Sequence, residues 1–150
     1  MIPNQNAKRI VLINNSSITN GATATGYVDT IGHSQLSISV ILPTSNVVSN
    51  KPGTLRITEY DGTQPTSPTN YATISGYVSG TDYTIPNAIT AATSITVPFA
   101  VFNVDLRGRK RYIGLEVSPT TTQIITAEAV LLRSQQTPAA SLNGTVVVNG

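Results

Sequence analysis

The chain has 150 residues, no cysteine, only 11% charged residues and a formal net charge of +2. That length suits one domain with a substantial core, and the lack of cysteine excludes a disulfide framework, a thiolate metal site and a cysteine nucleophile. An ordinary soluble domain is about 25% charged, so an exterior built from Thr, Ser, Asn and Gln has little colloidal repulsion and favours packing against other subunits.

Residues 1–7 are polar and read as an extended arm, without the apolar stretch of a secretory signal. Ile10, Val11, Leu12 and Ile13 form an apolar run ended by Asn14-Asn15-Ser16-Ser17, a strand followed by a turn. Residues 21–28 alternate small side chains and Thr into Tyr27 and Val28, and 29–33 turn the chain. Leu36, Ile38 and Val40 then alternate with Ser37 and Ser39, the period of two of a half-buried strand. Residues 43–53 read as a loop. Leu55 and Ile57 share one face of a strand over 54–60, which Asp61-Gly62 breaks, and 63–70 is a Pro-containing surface loop. A short strand over 71–77 and a turn or edge over 80–86 follow; residues 93–99 are extended, with Pro98 marking an edge or an end.

Residues 101–117 look like the organising stretch. Arg107, Arg109, Lys110 and Arg111, four of the nine basic residues, crowd around Gly108 between two apolar runs. A short Gly-centred connection of this kind is a hairpin signature, which places the cations at a sheet tip, with Asp105 and Glu116 near enough to neutralise some of them. Residues 124–132 could be helix or strand; their β-branched start favours a strand, expected to pair with 111–117. Beyond Arg133 periodicity is lost apart from Val146-Val147-Val148, so residues 135–150 read as a tail that wraps a neighbour or stays loose. Roughly seven or eight strands with Pro, Gly and Asn between them predict an all-β, single-domain antiparallel β-sandwich of jelly-roll type. Its expected limits are 8–134, between the arm and the tail.

Chemistry-bearing residues are few. His33 is the sole histidine and sits in a turn; Ser34 beside it on an extended chain points the opposite way, so no Ser-His-Asp arrangement with Asp29 follows. Glu59 and Asp61 flank Tyr60 without the run of oxygen ligands that calcium requires, and read as exposed turn residues. No catalytic residue, cofactor or metal ligand is expected. Nucleic acid is not an expected partner, because a net charge of +2 offers no basic face or stripe, and no apolar run approaches the roughly eighteen residues of a membrane helix.

At Asp105-Leu-Arg-Gly-Arg-Lys-Arg-Tyr112 the sequence resembles a group of small tailed-phage structural proteins carrying a DLRG(R/K)KRY element after a valine-rich strand. The similarity continues in residues 124–133, in Leu131-Leu132-Arg133-Ser134 with the following Pro138-Ala139, and in Gly26-Tyr-Val-Asp-Thr-Ile-Gly32 before the Ser37 to Val40 strand. The group is the capsid decoration, or cement, family. The resemblance implies a jelly roll on the outer surface of a phage head, bridging subunits of the major capsid protein, typically as a homotrimer, with a virion location and no catalytic residues. Under it, Asp105, Arg107, Arg109, Lys110, Arg111 and Tyr112 would form the intersubunit or capsid contact. The Pro-rich segment 61–70 departs from the group's commoner pattern. Alternatives are a tail or fibre subunit, or a carbohydrate-binding or adhesive module using Tyr60, Tyr71, Tyr77 and Tyr83 as exposed stacking faces.

Overall fold

The computed structural model describes residues 7–41, 52–62, 71–85, 90–91, 94–95, 99–133 and 145–149. The strands are β1 (Ala7–Ile18), β2 (Ala24–Asp29), β3 (Gln35–Ile41), β4 (Pro52–Tyr60), β5 (Ala72–Val78), β6 (Thr90–Ala91), β7 (Ser94–Ile95), β8 (Phe99–Asp105), β9 (Tyr112–Pro119), β10 (Gln123–Leu132) and β11 (Thr145–Asn149). They form a five-stranded sheet in the order β1-β10-β3-β8-β11, a four-stranded sheet in the order β2-β9-β4-β5, and the small ribbon β6-β7.

Strands β1 and β10, β2 and β9, β3 and β8, and β4 and β5 pair antiparallel. The chain from β1 to β10 is therefore one long hairpin whose limbs are dealt in turn to two sheets. The further antiparallel pairs β10/β3 and β9/β4 roll it closed. This is jelly-roll connectivity, the β-sandwich that the spacing of strands predicts.

Alternation explains the core. On β3 Leu36, Ile38 and Val40 turn inward, and on β10 Ile125, Ala127, Ala129 and Leu131 do the same. They join Leu55, Ile57, Phe102, Val104, Ile113, Leu115 and Val117 in one cluster. Each Val, Leu, Ile or Phe side chain among them contributes about 1.5–3 kcal/mol on leaving water. Strand β9 is buried on both faces from Tyr112 to Val117, because its outward positions are covered too. The Tyr27 ring lies over Gly114, its cross-strand partner, and Arg56 pairs with Glu116. A Cβ at Gly114 would run into that ring and into Thr58 Oγ1, 2.7 Å away. An aromatic ring covering a glycine on the next strand restores the contact area the glycine lacks. Gly26 admits a different neighbour: a Cβ there would lie 2.6 Å from the Leu12 carbonyl oxygen, so β1 passes hard against β2.

Four expectations are corrected. The connection around Gly108 is not a hairpin: β8 and β9 belong to different sheets, and the link arches between them. Strand β10 pairs with β1 and β3, not with β9. Alternation marks a strand and its buried face, but it does not choose the partner. The Asn14 to Ser17 segment does not end β1; the strand runs on to Ile18 through two register shifts, with Asn15 at φ 43°. Part of the supposed tail is strand β11, added parallel to β8, with Val148 in the core. Of the arm, Ala7 already belongs to β1, while residues 1–6 lie outside the described residues, as do most of the loop over 43–53, the 63–70 loop and Pro98.

Candidate functional site

The register places Tyr60 beside Tyr112 and Asp29 beside Tyr112, and Gln35 beside Asp105. One end of the sandwich thus gathers the turn after β2, the end of β4 and the arch from β8 to β9.

Two of these connections share one construction. In Asp29-Thr-Ile-Gly-His33 the Asp29 carboxylate accepts the Ile31 N–H at 3.2 Å, and the His33 N–H donates to the Thr30 carbonyl at 3.0 Å. In Asp105-Leu-Arg-Gly-Arg109 the Asp105 carboxylate accepts the Arg107 N–H at 3.0 Å, and the Arg109 N–H donates to the Leu106 carbonyl at 3.1 Å. The fourth residue of each is a glycine at positive φ, 80° at Gly32 and 75° at Gly108, as a β-turn with a left-handed third residue demands. The side chain of Asp holds the turn's entry while glycine makes its corner.

The two turns are latched together. Leu106 N–H donates to the Ser34 carbonyl at 3.0 Å, and the Arg111 carbonyl accepts both the Thr30 N–H at 3.0 Å and the Thr30 hydroxyl at 2.6 Å. Glu59 of β4 accepts the Lys110 N–H, and Asp61, just past β4, the Arg111 N–H, each at 3.3 Å. Of the two acids expected as exposed turn residues, Asp61 is exposed just past β4, whereas Glu59 lies within β4 and is half-buried.

The cations divide into two kinds. Arg107 grips Asp105 with Nε at 3.0 Å and Nη2 at 2.5 Å. Arg111 grips Asp29 with Nε at 3.1 Å and Nη2 at 2.7 Å, and its guanidinium lies 5.1 Å from the centre of the Tyr112 ring. Planar forks of this kind fit carboxylates in two-point geometry. The Arg107 guanidinium holds the Asp105 carboxyl down at about 2, and Arg111 lowers that of Asp29. Arg109, exposed, and Lys110, half-buried, have no side-chain ion pair among the described residues. Glu116, expected to neutralise the arch, instead pairs with Arg56 on the outer sheet face. Ile31 stands at the same end with 66% of its surface exposed.

All six residues singled out from the sequence, Asp105, Arg107, Arg109, Lys110, Arg111 and Tyr112, therefore lie at this tip, but in unlike roles. Tyr112 is buried under the tip. The sequence reading missed Asp29, Thr30, Glu59 and Asp61, the groups that fix the arch. The repeated D-x-x-G-x pattern at 29–33 and 105–109 was the signal for the turns; nothing local marks Glu59 and Asp61, which arrive through the β4/β9 register.

The tyrosines are rearranged as well. Tyr77 is fully buried and its hydroxyl donates to the Asn103 carbonyl at 2.6 Å; the half-buried Tyr83 donates to the Leu55 carbonyl at 2.6 Å. Neither offers a stacking face. Tyr27 and Tyr71 stack on each other at 4.7 Å, with Tyr60 edge-on to Tyr71 at 5.8 Å. Burial pushes the Tyr27 and Tyr83 hydroxyls above the usual tyrosine range. An open recess of about 220 Å³ bordered by Pro52, Ser79, Gly80, Ile85 and Thr120 lies at the opposite end of β4 and β9. Among the described residues no group of three or more His, Cys, Asp or Glu side chains could hold a metal ion, and His33 is occupied with its own turn, Nδ1 lying 3.1 Å from the Ile31 carbonyl.

No family model and no curated protein sequence matches the chain. Among solved structures it is similar to a family GH115 4-O-methyl-α-glucuronidase, BtGH115A, with specificity for decorated arabinogalactans, at 10% identity and a TM-score of 0.43. The match covers 85% of this chain and 16% of that one. A likeness that low carries no argument about fold or activity.

Proposed function

We propose that the protein is a non-enzymatic structural subunit of a tailed-phage virion, seated on the outside of the head, where it bridges subunits of the major capsid protein. The supporting observation is the tip: a network of backbone and carboxylate bonds holds the arch rigidly while Arg109 and Lys110 are left without an ion partner among the described residues. A pre-shaped contact loses little conformational freedom on binding. Two cations without an ion pair among the described residues, at the same end of the sandwich as the exposed Ile31, suit a neighbour that offers carboxylates around a small apolar surface.

Arg107 is held by Asp105 within its own turn and Arg111 ties the arch to Asp29, so the grip narrows to Arg109 and Lys110. The low overall charge fits a subunit that works in a crowded lattice. A clamp that binds the assembled shell and not its free parts stabilises that shell by mass action; the trimer implied by the sequence resemblance would multiply the effect. Co-sedimentation of the purified protein with expanded heads of the cognate phage tests the reading. Saturable pelleting with heads, and a higher temperature of head disruption, is the expected result. Heads that pellet without the protein at any concentration would overturn it.

A further inference from the structure

Each sheet of a sandwich ends in two strands whose outward backbone groups need management, because a bare edge is a template for another chain. Three of the four edges here are managed. Strand β1 carries Lys8, Arg9 and two register shifts. Strand β5 breaks register against β4 between Arg56 and Thr58. The short β2 ends in Asp29 and is crossed closely by β1 at Gly26.

Strand β11 has none of these devices. It runs in unbroken register with β8 from Thr145↔Phe99 to Asn149↔Asn103, contains neither charge nor proline, and among the described residues has no strand on its far side. Its sequence, Thr-Val-Val-Val-Asn, reads nearly the same in both directions about Val147. Antiparallel self-pairing centred there sets Val146 against Val148, Val147 against its own copy, and Thr145 against Asn149. No like charges oppose one another in that register.

We propose that the free edge of β11 pairs antiparallel with the same edge of a second copy, across a two-fold axis at Val147, joining two five-stranded sheets into one. The contact is isologous and lies on a sheet edge rather than at the tip, so it holds copies of this chain to each other independently of what the tip binds.

Sedimentation velocity on the purified chain, with no heads present, tests the pairing and leaves the capsid reading untouched whichever way it falls. The wild type should show a concentration-dependent doubling of its smallest species, monomer to dimer or trimer to hexamer. Val147→Lys and Val147→Glu should each weaken it by at least about tenfold, since like charges then meet on the axis, and mixing the two should restore the doubling. A wild type whose smallest species doubles at no concentration overturns the proposal, as does an assembly that neither charge disturbs. If the charged variants fail to fold, Val147→Cys gives a second reading in a chain that has no other cysteine. Oxidation should then yield a covalent dimer through that single position, and a product that remains monomeric contradicts the pairing.

Discussion

The turn at 29–33 and the turn at 105–109 have the same backbone and opposite duties. In each an Asp accepts the N–H two residues on, and a Gly at positive φ takes the corner. Around the first, the side chains are Thr30, Ile31 and His33; around the second, Leu106, Arg107 and Arg109. The first turn is a receptor, giving Asp29 to Arg111 and Thr30 to the Arg111 carbonyl. The second is the presenter, fixing Arg107 on its own Asp105 and leaving Arg109 outside. The comparison separates what makes a turn from what a turn displays: Asp and Gly make it, and the exposed side chain it shows is Ile31 in the first turn and Arg109 just past the glycine in the second.

Breaking the glycines ranks the forces involved. Gly26→Ala should cost most, about 3 kcal/mol or more, because the added methyl group meets the Leu12 backbone rather than a movable side chain. Gly32→Ala and Gly108→Ala should cost about 1–2 kcal/mol each and nearly the same as one another, since both sit at positive φ with open space around the new Cβ. Thermal melting of the three variants checks the order. Unequal losses at the two turn glycines would mean that the turns are not equivalent.

Acid sharpens the comparison further. The Asp105 carboxyl is held at about 2 by Arg107, below the roughly 3.9 of an unfolded Asp. A carboxyl depressed in the folded state contributes stability that is complete above the unfolded value and is lost as pH falls through the folded one. The stability that the Asp105–Arg107 tie contributes should therefore be complete above about pH 4 and be lost between there and about pH 2, where the carboxyl itself takes up its proton. Asp29 is also depressed, by Arg111, so carbon-detected titration should find both tip carboxyls ionising below the ordinary range. Either one titrating as a free Asp would show its fork to be open in solution.

Much of the fold is legible in the chain because a half-buried strand writes its face into every second residue. Leu36, Ile38 and Val40 announce β3, Leu55 and Ile57 announce β4, and the punctuation between strands points to a rolled sandwich. Partnership is not written that way. Nothing in 101–117 distinguishes a hairpin from an arch, since the same turn serves both, and the pairing of β10 with β1 joins residues more than a hundred positions apart. The six tip residues stand out as a local crowd of charge. Glu59 and Asp61 do not, because they meet the arch only through register. Tyr77 and Tyr83 resemble surface aromatics until the fold supplies buried carbonyls for their hydroxyls.

The central claim is that the tip grips with Arg109 and Lys110 while Arg107 stays committed to Asp105. Binding to heads of an Arg109→Ala/Lys110→Ala variant, compared with an Arg107→Ala variant that leaves the Asp105 turn bond in place and with the wild type at equal concentration, tests it most directly. The account predicts that the first loses at least about tenfold in affinity, as when contact cations are removed from a complementary interface, with melting unchanged, and that the second keeps most of its binding. Equal binding by the first variant and the wild type would contradict the account.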